Sequence, residues 1–296
     1  MTRARKVTRA LLRRMPLPRL DDDGDKDVRG RVLAIGGSTE VPGAILLAGV
    51  AALRAGAGKL QLATVRSASA ALGVAVPEAL VVALPETRSG EIAGAAASHL
   101  LSRRWNSVDA ILLGPGMSSA RSAHALLHAV VHEIGDDTTL VIDAGALLAL
   151  QGNRGLVRRL GGRVILTPHA GEMASMLGAD RIDVERNAAA YARDAAERFG
   201  AVVALKGAET WIAEPAGALF HYEGGSVGLA TSGSGDTLAG VVAGLAARGA
   251  PASCAAVWGA YLHGAAGAVL TRRMGRVGFL ARELLAELPA LLRRAT

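Results

Sequence analysis

The chain has 296 residues, 51% of them apolar but only 3% aromatic, with a net charge of +7 and one cysteine. That is enough apolar material for a sizeable core, and Ala, Gly, Val and Leu in place of aromatics favour helices lying close on a sheet over a β-sandwich. A single Cys254 excludes an internal disulfide framework and a cysteine-built zinc site, and no charge-free run of about 18 apolar residues marks a membrane span, so the cytoplasm is the default compartment.

Much of the positive excess lies in the first 20 residues (Arg3, Arg5, Lys6, Arg9, Arg13, Arg14, Arg19), and no basic residues interleave with aromatics elsewhere. The charge therefore reads as solvated surface rather than a nucleic-acid interface. Residues 1–28 form a basic then acidic arm: LLRRMPLPRL makes a short helix ended by Pro16 and Pro18, and DDDGDKD follows. The acidic run argues for a docking arm rather than a transit peptide, one that contributes no strand.

Residues 29–296 read as a single domain without an internal linker. RVLAIGG (31–37) is an apolar strand stopped by glycines, and 42–58 is a small-faced helix with Pro42 in its first turn. KLQLAT (59–64) and ALVVALP (79–85) are further buried strands with short helices between and after them. DAILLGPG (109–116), TLVIDAG (139–145) and VILTPHAGE (164–172) repeat the pattern of a strand running into a polar or glycine turn. A charged helix over 183–199 leads to the strand AVVALKG (201–207), TWIAEPAGALFHY (210–222) is an antiparallel hairpin at one sheet edge, and helices fill the chain from Gly235. The sum is an α/β fold with a mostly parallel central sheet flanked by helices on both faces.

Open α/β sheets bind ligands beyond the carboxyl ends of their strands. GGSTEVPGA, GPGMSS, DAG, TPHAGE, KGAET and SGSGD all fall there. SGSGD is the most specific, because consecutive N–H groups around Gly233, Ser234 and Gly235 at a helix start form an anion cradle that a Cβ would obstruct. Ser234 or Asp236 acting only as an N-cap is the plainer alternative. Both G-x-x-x-x-G-K-[ST] and G-x-G-x-x-G are missing, which disfavours a P-loop NTPase and a Rossmann dehydrogenase.

Asp236 is the candidate general base, with helix N–H groups helping it stay ionised. His169 is either a substrate hydrogen-bonder or a structural one, Lys206 a phosphate contact or a surface lysine, and Asp143 a metal or loop ligand or a turn cap. His263, in an apolar helix, reads as a satisfied core histidine, and Trp258, Met173 and Met176 as packing. His124, His128 and His132 share a helix face that no carboxylate pattern completes as a metal site.

RGRVLAIGGSTEVPGAILLAGVAALRAGAGKLQLAT, DAILLGPGM, LVIDAGAL, VILTPHAGEM, VVALKGAETWIA and LATSGSGDTLAG occur in this order, and together they resemble the NAD(P)H-hydrate dehydratase family of the ribokinase-like superfamily. The resemblance runs from about Arg29 to the C-terminus. It implies dehydration of the hydrates NADHX and NADPHX, by phosphorylation of the hydrate hydroxyl from ADP or ATP with Mg²⁺ and elimination of phosphate. The hydrate-binding positions it carries over are Ala44, Gly116, His169 and Asp236; the adenine-nucleotide positions are Lys206, Gly207, Ala208, Glu209, Thr210 and Gly235. It further implies a homo-oligomer, up to a tetramer. A separate epimerase chain is expected too, since no epimerase domain fits in the arm. The chain departs from the family pattern at Val41, at Ala170 and at Gly224, Gly225 and Ser226. A vitamin-precursor or sugar kinase of the same superfamily, or a nucleotide-sensing module without catalysis, is the alternative.

Overall fold

The computed structural model of the chain describes residues 3–19, 26–153 and 155–295. Residues 21–25 of the acidic run lie outside them. In chain order the elements are β1 (Arg5–Lys6), α1 (Arg9–Arg14), β2 (Arg31–Ile35), α2 (Pro42–Arg54), β3 (Lys59–Val65), α3 (Arg66–Ala75), β4 (Ala79–Leu84), α4 (Gly94–Leu101), β5 (Ala110–Leu113), α5 (Ala120–Glu133), β6 (Thr139–Ile142), β7 (Val164–Leu166), α6 (Ala170–Leu177), α7 (Arg181–Arg186), α8 (Ala188–Phe199), β8 (Val202–Leu205), β9 (Thr210–Ala213), β10 (Leu219–Tyr222), α9 (Ser234–Ala247), α10 (Ala252–Met274) and α11 (Ala281–Ala295). Among the described residues one sheet holds all ten strands in the order β1-β10-β9-β8-β7-β6-β5-β2-β3-β4, and β9 alone runs against the rest.

The sheet divides the apolar side chains into two cores by strand alternation. Val32 and Ala34 face α2, α9, α10 and α11, while Leu33 and Ile35 face α4, α5 and α8. On the first face α2 and α9 meet backbone to backbone. A Cβ on Gly240 would stand 2.0 Å from the Ala48 carbonyl oxygen, and one on Gly244 2.4 Å from that of Ala52. The same register, carried one turn towards both N-termini, sets Ala44 at the level of Asp236.

Three expectations need correction. The arm does contribute a strand: β1 pairs in parallel with β10, and the Val7 N–H donates to the His221 carbonyl at 2.8 Å. Two residues are too short to show alternation, and their strand state follows from the otherwise unpaired edge of β10. Beyond it Thr8 caps α1, Leu12 and Leu17 are buried, Trp258 Nε1 donates to the Met15 carbonyl at 2.7 Å, and Arg9 donates to Tyr261. Second, β4 is an edge strand and mostly half-exposed, with Leu80 in the open. Third, the charged helix is two helices: Asn187 leaves helical geometry, and its side chain donates to Asp183 Oδ1 at 2.7 Å as α7 closes. Helix α10 is long and apolar enough by composition to cross a membrane, yet 67% of its apolar window is buried within the fold.

Candidate active site

The strand ends at the carboxyl edge deliver the site. Gly37 N–H donates to the Pro115 carbonyl at 2.7 Å, tying the turn after β2 to the turn after β5. Gly116 has φ +71°, and a Cβ there would lie 2.6 Å from the Val41 carbonyl oxygen and 3.1 Å from Ala44 Cβ. Glycine is thus required at 116 for conformation and for space, and it brings Ala44 and Gly116 into one small-residue floor.

Helix α9 begins on Gly233, which is its N-cap at φ +85° without any side-chain cap. The N-cap alternative for Ser234 and Asp236 is therefore overturned. Ser234 Oγ instead meets His263 Nε2 at 2.9 Å, and Asp236 stands in the first turn. The helix N–H does ease its ionisation, as expected, but it is outweighed. Burial first, then the charge of Asp143, pushes the Asp236 carboxyl up to about 6, and Glu172 adds to them; Lys206 and the residue's own backbone N–H pull the other way without prevailing.

Lys206, at the end of β8, is the cation at the centre of this cluster. Its Nζ donates to Asp143 Oδ1 at 2.7 Å and lies 4.0 Å from Glu172 Oε2. Asp143, at the end of β6 and itself buried, also accepts from Thr167 Oγ1 at 2.7 Å. Burial disfavours the Lys206 ammonium, but Asp143, Glu172 and Asp236 outweigh it and raise the lysine above its ordinary value. Burial is likewise the main cause that raises the Glu172 carboxyl, against the pull of Lys206. Lys206 is not a surface lysine, and a Cβ on Gly235 would come within 3.3 Å of its Nζ. Three carboxylates thus surround one ammonium beside the glycine turn.

His169 caps α6. Its Nδ1 accepts from the N–H groups of Gly171 (3.0 Å) and Glu172 (3.2 Å), and Glu172 returns a bond to the His169 N–H at 2.7 Å. With Nδ1 accepting, the ring proton of the neutral form is assigned to Nε2, which lies 3.5 Å from Glu172 Oε1. The structural reading of His169 holds: Nδ1 is occupied by the cap, and the other ring nitrogen faces Glu172.

A cavity of about 700 Å³ opens between the loop after β8, the loop after β10, and helices α9 and α10. His169, Lys206, Gly207, Ala208, Thr210, Ser234 and Gly235 line it, and Glu209 lies just outside, its carboxylate bonded to His221 Nε2 at 2.7 Å. Ala44 and Gly116 stand apart from this cavity. His263 belongs to it rather than to the core, and burial holds its imidazole neutral, with a pKa down to about 4. Gly224 and Gly225 belong to its wall, where Tyr222 Oη would lie 2.3 Å from a Cβ on Gly224. Trp258, Met173 and Met176 are buried packing, and His124, His128 and His132 are exposed on α5.

A family model for NAD(P)H-hydrate dehydratase matches residues 32–290. The chain belongs to that family. It is 49% identical over 292 residues to the ADP-dependent (S)-NAD(P)H-hydrate dehydratase of Xanthomonas campestris pv. campestris, with 99% of this chain and 97% of that one covered. It is 39% identical to the bifunctional NAD(P)H-hydrate repair enzyme Nnr of Moorella thermoacetica, which it matches over 98% of its own length and 54% of that enzyme's. The solved ADP/ATP-dependent NAD(P)H-hydrate dehydratase of Bacillus subtilis, co-crystallized with ATP/Mg²⁺, superposes with a TM-score of 0.86 at 30% identity, covering 100% of both chains. The fold of the family member described here is the ribokinase-like α/β architecture that the resemblance implied. Two residues of the candidate site escaped sequence reading. Glu172 sits inside TPHAGE without having been given a role, and His263 was hidden by its apolar helix.

Proposed function

We propose that the chain dehydrates NADHX and NADPHX, with ADP as phosphoryl donor and ATP as its alternative, and that Asp236 is the general base. The observation that carries this reading is the cluster itself: one ammonium faces three carboxylates, and the carboxylate at the glycine turn has a pKa of about 6. Such a group is mostly ionised near pH 7 yet basic enough to take a hydroxyl proton. The register between α2 and α9 supports placing the hydrate's ring on Ala44 and Gly116, within reach of Asp236. The adenine nucleotide then occupies the cavity over Gly207, Ala208 and Thr210, with Lys206 and the N–H groups of Ser234 and Gly235 meeting its phosphates.

Asp236 accepts the proton as the hydrate oxygen attacks the terminal phosphorus and the nucleotide leaves one phosphate shorter. The carbon–oxygen bond then breaks, phosphate departs, and the neighbouring ring carbon loses a proton, which restores the dihydronicotinamide. Mg²⁺ fits the donor chemistry. Among the described residues no group of three or more His, Cys, Asp or Glu side chains forms a metal cage, and Mg²⁺ is commonly held by one or two carboxylates together with substrate phosphates. Asp236 and Glu172 are the carboxylates that would share it, and bound Mg²⁺ would offset charge on the phosphates.

This reading places the enzyme in the cytoplasm as a homo-oligomer, with residues 29–296 as the catalytic unit. Incubation with NADHX and ADP or ATP tests it through recovery of dihydronicotinamide absorbance. Turnover in EDTA without nucleotide would refute the phosphorylation route, and a strict ATP requirement would refute ADP as donor.

A further inference from the structure

A second cavity, of about 710 Å³, lies beyond His169 and Lys206 on the side away from the nucleotide cavity. Its floor is apolar, with Val184 and Leu205 buried. Trp211 forms one wall, and Arg181 and Glu185 of α7 stand at its mouth. The two cavities share His169, Lys206, Gly207 and Ala208, so a ligand in each would meet at the ammonium.

Position along the sheet gives the distance. Gly116, Asp143, His169 and Lys206 follow the adjacent strands β5, β6, β7 and β8, and Trp211 pairs with Leu205 on the next strand, β9. Four strand intervals of roughly 4.8 Å separate the Ala44–Gly116 floor from Trp211 by about 19 Å. That is the scale of an extended dinucleotide, whose two heterocycles are held apart by two riboses and a pyrophosphate. One face of Trp211 is stacked on His221 at 3.8 Å and 8°, which fixes the indole as a rigid wall.

We propose that this second cavity takes the non-reacting adenosine half of the hydrate, with adenine against Trp211 and Arg181 reading the 2′-phosphate that distinguishes NADPHX from NADHX. The inference rests on the dehydration reading above. Arg181 Nε is bonded to Glu185 Oε1 at 2.9 Å in an exposed i,i+4 pair. Exposed pairs contribute little, so the guanidinium is free to exchange this partner for a phosphate, which it matches with two parallel N–H donors. The His169 ring lines both cavities and so lies between the two halves, where the pyrophosphate passes. Glu185, left behind by Arg181, accepts from the ribose hydroxyl of NADHX, so both hydrates are used and the arginine sets their ratio.

The test is steady-state kinetics of wild type, Arg181→Ala and Trp211→Leu with both hydrates and ADP. Arg181→Ala should lower the NADPHX-to-NADHX ratio of kcat/KM by about tenfold or more, through KM rather than kcat. Trp211→Leu should raise KM for both hydrates about tenfold while the KM for ADP holds. Trp105 and Trp258 are fully buried, so NADP⁺ should quench the fluorescence of Trp211, and Trp211→Leu should abolish that quenching. An active wild type with an unchanged ratio in Arg181→Ala, a variant whose substitution lies on the exposed surface, overturns this inference and leaves the dehydration reading intact. A wild type without dehydratase turnover refutes the dehydration reading instead. Quenching that persists in Trp211→Leu would remove the indole from the site.

Discussion

The two ends of the parallel strands handle charge in opposite ways. At the amino end, the half-exposed Asp27 sits between two cations, Lys59 and Arg31 (2.9 Å), and the hydrogen bonds from Lys59 and then Arg31 hold its carboxyl below the usual range. At the carboxyl end one ammonium, Lys206, faces Asp143, Glu172 and Asp236, and burial pushes the last two carboxyls up. The first arrangement is locally balanced and complete without a ligand. The second carries more negative charge than its lysine can offset, so it gains from a cation, a proton or a substrate that brings either.

Replacing Asp236 by Asn should break this contrast most visibly. Turnover should fall by about 10²- to 10⁴-fold, as expected for a lost general base. Stability should move the other way. A carboxyl raised in the fold contributes stability below its unfolded value, and that contribution is lost as pH rises through the folded value of about 6. The Asn variant should therefore melt above wild type at pH 8, with the gain shrinking towards pH 4. Near wild-type turnover in a folded variant would end the role of Asp236 as base.

Lys206→Met comes next. It strands Asp143, which is 1% exposed, without its ion-pair partner, and losing one member of a buried pair destabilises by about 3–5 kcal/mol. Urea midpoints measure this, and adding Asp143→Asn should recover part of the loss. A Lys206→Met protein as stable as wild type would show that the pair is solvated.

In the wild type, kcat/KM should rise about tenfold per pH unit up to roughly pH 6 and level off above it. A flat profile from pH 5 to pH 8 would remove Asp236 as the titrating group. Asp27→Asn at the amino end should have the smallest effect, leaving both melting temperature and turnover where they are. A large loss there would mean that the exposed cluster carries structural weight.

Much of this site was legible because its loops follow a simple rule: each candidate turn ends a parallel strand, so all of them converge on one edge. The glycines at 116, 233 and 235 could be read for the same reason, since close backbone approach leaves a mark in the sequence. Charge balance was not legible. Lys206, Asp143, Glu172 and Asp236 come from four separate segments, and only their juxtaposition decides that burial and like charge overcome the helix N–H groups at Asp236. His263 was read correctly as satisfied, by Ser234, but its place on the cavity wall was hidden because the rest of its helix is largely apolar. The break at Asn187 depends on a side-chain bond that periodicity does not register, and β1 depends on a partner far along the chain.

That last pairing sets the order in which the molecule can be completed. Met15 receives its hydrogen bond from Trp258, 243 positions away, and Arg5 waits for Phe220. Contacts of such separation form slowly, because a long loop must close before they contribute. The arm is therefore among the last segments to be seated, and the edge of β10 stays unpaired until the arm folds back on it. Once seated, the arm covers the β10 edge, which would otherwise offer unpaired backbone groups to another strand.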